Sequence, residues 1–181
     1  QEPKEKYILY LGRLDEKKGI DILLKSFSNL DLNNINLKIA GEFNEYKKGL
    51  DSIVSKLNLH DKVEFLGMVT GDTKAELFRN AYVFAAPSYS EVIGMVNLEA
   101  ALFKTPVITT YQTGINKDWQ NNGGFLINPT EQELTVALKK AINLSLEERN
   151  DCGKKLHDFV LKNYSWENRF FEWIKLYESM L

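Results

Sequence analysis

Residues 87–106, PSYSEVIGMVNLEAALFKTP, hold the side chains best placed for chemistry. Glu91 falls in a polar segment that follows an apolar run, Val83-Phe84-Ala85-Ala86. Glu99 falls eight residues later, within the helical pattern of Met95, Leu98, Ala101 and Leu102. Pro87, Ser88, Tyr89 and Ser90 suit neither a strand nor a helix interior, and Gly94 stands where the helix would open. A strand, a polar turn and a helix with a glycine in its first turn leave free backbone N–H groups at the turn. The helix dipole adds to them, so the segment can hold an anion. If the helix opens near Glu91, the two carboxylates stand two turns apart. Both then line one crevice at the carboxyl end of the sheet, where open α/β sheets bind ligands. Taken singly, the same residues also describe a surface turn with one capping and one solvated glutamate.

The loop Gly12-Arg13-Leu14-Asp15-Glu16-Lys17-Lys18-Gly19 is the second candidate. Arg13 follows a strand-ending glycine, and Lys18 stands just before a helix. Two such cations can clamp a diphosphate, Arg13 through bidentate hydrogen bonds and Lys18 as a point charge. A solvated charged turn is the other reading, because Asp15, Glu16 and Lys17 share the loop.

Other chemistries lack their residues. No two glycines stand two apart, so the dinucleotide fingerprint G-x-G-x-x-G is absent, as are a P-loop and an Asp-x-Asp pair. Neither His60 nor His157 lies near a strand-end nucleophile, and neither has companion cysteines for zinc. His60 reads as a turn or cap residue and Cys152 as helix packing, and a single cysteine excludes an internal disulfide. The 181 residues carry a formal charge of -2, with 44% hydrophobic and 27% charged side chains. That balance fits a globular domain with a real core and argues against nucleic acid as a partner. No apolar run approaches the roughly 20 residues that span a bilayer. The chain opens on Gln1, which suggests a piece of a longer protein.

The positioning elements follow from periodicity. Apolar runs at Tyr7–Leu11, Leu37–Ala40, Val63–Leu66, Tyr82–Ala86, Val107–Thr110 and Phe125–Ile127 read as six strands, several of them ended by glycine. Between them, Ile20, Leu23, Phe27 and Leu30, and then Tyr46, Leu50, Ile53, Val54 and Leu57, keep helical spacing. Asn33, Asn34 and Asn36 mark a loop, and Asn121-Asn122-Gly123-Gly124 a turn. Thr73 with Glu76, Thr130 with Glu133, and Ser145 with Glu148 fit capping boxes, and Ser165 can cap the last helix. That helix carries an apolar face of Phe170, Trp173, Ile174, Tyr177 and Leu181, which packs either on this domain's own sheet or on an absent partner domain. Alternating strands and helices predict one α/β domain with a parallel, doubly wound sheet of about six strands.

Five segments in order resemble the carboxyl-terminal domain of the retaining glycosyltransferases of the GT-B fold, the group 1 or RfaG-like family. They are LYLGRLDEKKGIDILLKSF, LKIAGE, VEFLGMVTGDTKAELFRNAYVFAAPS, EVIGMVNLEAALFKTPVI and SWENRFFEWIKLYESML. The resemblance spans nearly the whole chain and implies a Rossmann-like nucleotide-sugar (donor) domain over residues 1–181, one half of a GT-B fold. The acceptor-binding amino-terminal domain would belong to the same full-length protein. By resemblance, Arg13 and Lys18 neutralise the leaving nucleoside diphosphate, next to Gly12, and the amides around Gly94 and Met95 hold its distal phosphate. Glu91 contacts donor-sugar hydroxyls, Glu99 the ribose hydroxyls, and Met68 and Val69 flank the base. Ile93 stands where the family often has Phe. Gln112–Lys117 replaces a Gly-Gly-x-x-Glu stretch and lacks its acidic residue.

The resemblance implies a cytoplasmic enzyme that needs neither metal nor cofactor, with any peripheral membrane contact, for example at the inner membrane surface, made through the other domain. Two alternatives remain. One is a sugar-nucleotide epimerase of the same fold, which would need acid/base residues facing the sugar. The other is a catalytically degenerate nucleotide-binding module, which the altered 112–117 loop would suit. A receiver domain is rejected, because Arg13 and Gly67 stand where acidic residues would be required.

Overall fold

The structure is a computed structural model, and it describes residues 5–31 and 33–180. Six strands alternate with helices: β1 (Tyr7–Leu11), α1 (Ile20–Ser28), β2 (Asn36–Ala40), α2 (Glu45–Lys56), β3 (Val63–Gly67), α3 (Gly71–Asn80), β4 (Val83–Ala86), α4 (Met95–Leu102), β5 (Val107–Thr110), β6 (Phe125–Ile127), α5 (Glu131–Ile142), α6 (Leu146–Tyr164) and α7 (Trp166–Glu178). The strands form one parallel sheet in the order β3-β2-β1-β4-β5-β6. This is the doubly wound, Rossmann-like arrangement, and the order reverses between β1 and β4, where such sheets open a crevice.

Side-chain alternation explains why helices cover both faces. Ile8 and Tyr10 of β1, with Ile39, Val83 and Ile108, point into a core closed by α1, α2 and α5 through Leu23, Phe27, Leu50 and Leu138. Tyr7 and Leu9, with Phe84, Val107 and Leu126, point into the opposite core, closed by Phe78 of α3, Leu98 and Ala101 of α4, and Leu156 and Phe159 of α6. A strand buried on both faces must be apolar at every position, and β1, β4 and β5 are buried along almost their whole length. β3 is half-buried because it lies at the sheet's edge. Arg149 of α6 is buried and donates to Tyr82 O at 3.0 Å and Ala81 O at 2.6 Å, which pins α6 to the entrance of β4.

Four details differ from the sequence expectations. Asn36 belongs to β2 rather than to a loop, because it pairs with Tyr7 of β1. Thr73 caps nothing: α3 already begins at Gly71, behind Thr70. The Thr130 box is half formed, since Thr130 accepts from the Glu133 amide while the Glu133 carboxylate takes the amide and side chain of Asn128. The Ser145–Glu148 box is complete. Ser165 occupies the N-cap position of α7 without a capping bond, and its hydroxyl instead accepts from Asn168.

α7 does not pack on the domain's own sheet. It has no buried residue, and Trp166, Phe171 and Tyr177 are 64%, 67% and 60% exposed. Leu181, the last member of its expected stripe, lies outside the described residues.

Candidate functional site

The crevice forms where the loop after β1 meets the loop after β4. Gly12 continues β1 and donates to Ala40 O at 3.0 Å. The buried Tyr10 hydroxyl donates to Arg13 O at 2.8 Å, which fixes the next turn, and burial pushes its phenol well above the usual range. Asp15 caps a single 3-10 turn over Glu16–Lys18 by accepting from the Lys17 amide. Gly19 then breaks that turn in the left-handed region, at φ +67°, and opens α1. A side chain at Gly19 would run into the carbonyl of Pro87, so the two loops touch backbone to backbone. Tyr89 N donates to Lys17 O at 2.8 Å and locks the contact.

Lys18 and Glu91 form an ion pair across this junction, and both side chains are mostly buried. Burial first, and the Arg13 charge second, lower the Lys18 ammonium below the ordinary lysine value, with Asp15 opposing. The Arg13 charge thus works against protonation of Lys18.

The Glu91 loop is fastened on its other side to the loop after β5. Glu91 N donates to Gln112 O at 3.1 Å, Gly114 N to Val92 O at 3.0 Å, and the Thr110 hydroxyl to Ser88 O at 2.6 Å. The 112–117 segment that departs from the family pattern still holds Glu91 in place through its main chain.

α4 starts at Met95, one turn later than a helix that would carry Glu91 and Glu99 together. The Met95 amide is taken by Ile93 O at 2.8 Å, and the Asn97 amide by Gly94 O at 2.8 Å. Among the described residues, the amides of Gly94 and Val96 donate to no carbonyl and remain available to an anion.

Gly12, Lys18, Glu91 and Gly94 line one narrow crevice with Tyr10, Ser88, Val96 and Asn97. Gly12 and Arg13 line an adjoining hollow with Gly41, Glu42, Met68 and Val69, at the ends of β1, β2 and β3. Ile93 faces a third hollow at the elbow of α6 and α7, beside Asn116 and Trp166. Met95 is 62% exposed. Glu99 lines none of these spaces. It sits one turn beyond Val96, and Lys74 of α3 holds its Oε2 at 2.7 Å.

The sequence reading missed Asn97, which is 1% exposed at the floor of the crevice. The available signal was a lone amide within the apolar run Met95-Val96-Asn97-Leu98. It also missed Lys74, which looks like any solvated helix lysine.

The family model "Glycosyl transferases group 1" matches residues 1–158. The chain belongs to the group 1 glycosyltransferases. An uncharacterized glycosyltransferase of Methanocaldococcus jannaschii is 30% identical over 177 residues, covering 96% of this chain and 45% of that protein. The sulfoquinovosyl transferase of Arabidopsis thaliana is 28% identical, covering 91% of this chain and 32% of that one. Among solved structures, sucrose-phosphate synthase from Thermosynechococcus elongatus superposes with a TM-score of 0.86 at 25% identity, over 98% of this chain and 46% of that one. WaaG, a glycosyltransferase involved in lipopolysaccharide biosynthesis, superposes with a TM-score of 0.78 at 23% identity, over 89% of this chain and 44% of that one. The fold is that of these GT-B glycosyltransferases. The chain spans about half the length of the curated Methanocaldococcus jannaschii relatives it matches. Among the described residues, no helix is long and apolar enough to cross a membrane.

Proposed function

We propose that this chain is the donor-binding half of a retaining glycosyltransferase and takes a nucleoside-diphosphate sugar. The observation that carries the reading is the meeting of Gly12 and Lys18 from the β1 loop with Glu91 and Gly94 from the β4 loop in one crevice. In such a transfer, positive charge develops on the sugar and negative charge on the departing diphosphate. Lys18, Arg13 and the free amides of Gly94 and Val96 stabilise the second charge, preorganised and partly removed from water. This work falls to the chain's own cations rather than to a metal. Glu91 is a carboxylate beside the developing cation and orients sugar hydroxyls there. Its present bond to Lys18 is exchanged for the donor's groups on binding. Glu99, with one oxygen held by Lys74 and the other open, accepts from the ribose hydroxyls. The hollow containing Met68 and Val69 takes the base.

An epimerase is not favoured. His60 precedes β3 at the amino-terminal edge of the sheet, opposite the crevice, and His157 lies on α6 beside Asp158. The test is transfer by the full-length protein, with the anomeric configuration of the product read by NMR. Retention, abolished in Glu91→Gln, is expected. Inversion or undiminished transfer by the variant contradicts the assignment. The 181-residue chain alone binds donor but transfers nothing, because the acceptor half is supplied by the remaining sequence.

A further inference from the structure

The crevice holds a buried polar atom that the described residues leave without a partner. Asn97 is 1% exposed, and among the described residues its Oδ1 accepts no hydrogen bond. Its Nδ2 donates to the Thr109 hydroxyl at 3.1 Å, and that hydroxyl leans on Ala86 O at 3.4 Å. The other buried hydroxyls behind the crevice are satisfied, Thr110 by Ser88 O and Thr113 by Thr110 O. An orphaned buried carbonyl oxygen is costly to the fold and calls for a reason. The neighbourhood is shaped to admit it. A Cβ on Gly94 would strike the Asn97 amide, so the glycine that opens α4 also makes room for the side chain folded beneath it. Lys18 and Glu91, at 16% and 23% side-chain exposure, line the same crevice as the more deeply buried Asn97.

We infer that Asn97 is a specificity-determining residue whose Oδ1 accepts a hydrogen bond from a hydroxyl of the transferred sugar. This rests on the donor-site reading above. The chemistry of the atom selects the group. A carboxamide oxygen only accepts, and a diphosphate at neutral pH offers only acceptors, so the two repel. A sugar hydroxyl donates. The anion has its own partners in the amides of Gly94 and Val96 and in Lys18. Asn97 therefore discriminates between a donor that carries its sugar and the spent nucleoside diphosphate. When the donor parts Lys18 from Glu91, Asn97 and Glu91 grip the sugar from below and from the side.

Asn97→Val and Asn97→Ser both remove the carboxamide oxygen, and either one alone carries the test if the other does not fold. Each is titrated calorimetrically, beside the unaltered chain, with UDP-glucose, GDP-mannose and ADP-glucose and with UDP, GDP and ADP. The expected result is a loss of about tenfold in affinity for the sugar nucleotide that the unaltered chain binds, with its parent diphosphate held to within about twofold. Melting temperature is expected to stay level or rise in Asn97→Val, since an orphaned polar atom is removed. An equal loss for sugar nucleotide and diphosphate would place Asn97 on the phosphate and overturn the inference. A fall in melting temperature with unchanged preference would make it a fold residue and overturn it too. Failure of the unaltered chain to bind any of the six would overturn the donor-site reading, and the role of Asn97 with it.

Discussion

Replacing Gly19 with alanine should break the contact that assembles the crevice, and its cost can be worked from two glycines. Gly19 has φ +67°, and Gly71, at the start of α3, has φ +55°. Both sit in the left-handed region, where a β-carbon costs roughly 1–2 kcal/mol. Alanine recovers about 0.4–1 kcal/mol by restricting the unfolded chain. Gly71 has no heavy atom within 4 Å of the new β-carbon, so Gly71→Ala should cost only about 1 kcal/mol. At Gly19 the same carbon meets the carbonyl of Pro87, which is backbone and cannot rotate away. The loops must part, and the bond from Tyr89 N to Lys17 O goes with them, adding about 1 kcal/mol or more. Gly19→Ala should therefore lose about 2–3 kcal/mol. In a domain of this size that lowers Tm by roughly 5–10 °C, against roughly 2–4 °C for Gly71→Ala. Urea denaturation with an unchanged slope and thermal melting measure both variants. Nucleotide affinity should fall with Gly19→Ala and hold with Gly71→Ala. Equal losses of stability in the two would show that the Pro87 contact contributes nothing and would refute the reasoning.

Three further outcomes follow from other contacts. Lys18 must be protonated to attract a diphosphate, and its ammonium is held below the ordinary lysine value. Affinity should thus be full at neutral pH and fall as pH rises through that lowered value, earlier than an unperturbed lysine would allow, with the alkaline limb lost in Lys18→Met. Arg149→Met removes both donors from the carbonyls of Ala81 and Tyr82 and should cost about 2–4 kcal/mol in urea denaturation; a loss under about 1 kcal/mol would mean those carbonyls find water. Deleting residues 166–181 should leave the melting temperature within about 5 °C, because no residue of α7 is buried, and a larger fall would show that α7 does stabilise the domain.

The sheet was legible because burial on both faces forces continuous apolar runs. All six strands lie within a residue or two of their apolar runs, and the alternation of elements gave the parallel, doubly wound layout. Helix starts were less legible. Thr73 and Glu76 have capping spacing, yet Gly71 adopts a left-handed conformation and lets α3 begin three residues earlier. The 3-10 turn over Glu16–Lys18 left no periodic signal, since three residues cannot make one. At the site, Gly12, Lys18, Glu91 and Gly94 were legible because each stands in a segment that joins the carboxyl end of β1 or β4 to the helix after it. Arg13 was also legible, but it lines the neighbouring hollow. The shared helix for Glu91 and Glu99 does not form: α4 starts at Met95, so the two carboxylates ride on different elements, each paired with its own lysine. Asn97 was hidden because its role depends on what its oxygen lacks, which only packing reveals. The face of α7 offered two readings, and the exposure of Trp166, Phe171 and Tyr177 removes the one in which it packs on its own sheet.

The most direct test of the donor site is calorimetric titration of this chain with UDP, GDP, ADP and CMP, repeated on Arg13→Ala and Lys18→Ala. Binding selective for one nucleotide is expected. Each variant should weaken it by about 1.5–3 kcal/mol, tenfold or more, as befits the loss of a charged partner of the diphosphate. Equal, weak binding of all four that neither substitution alters would contradict the account.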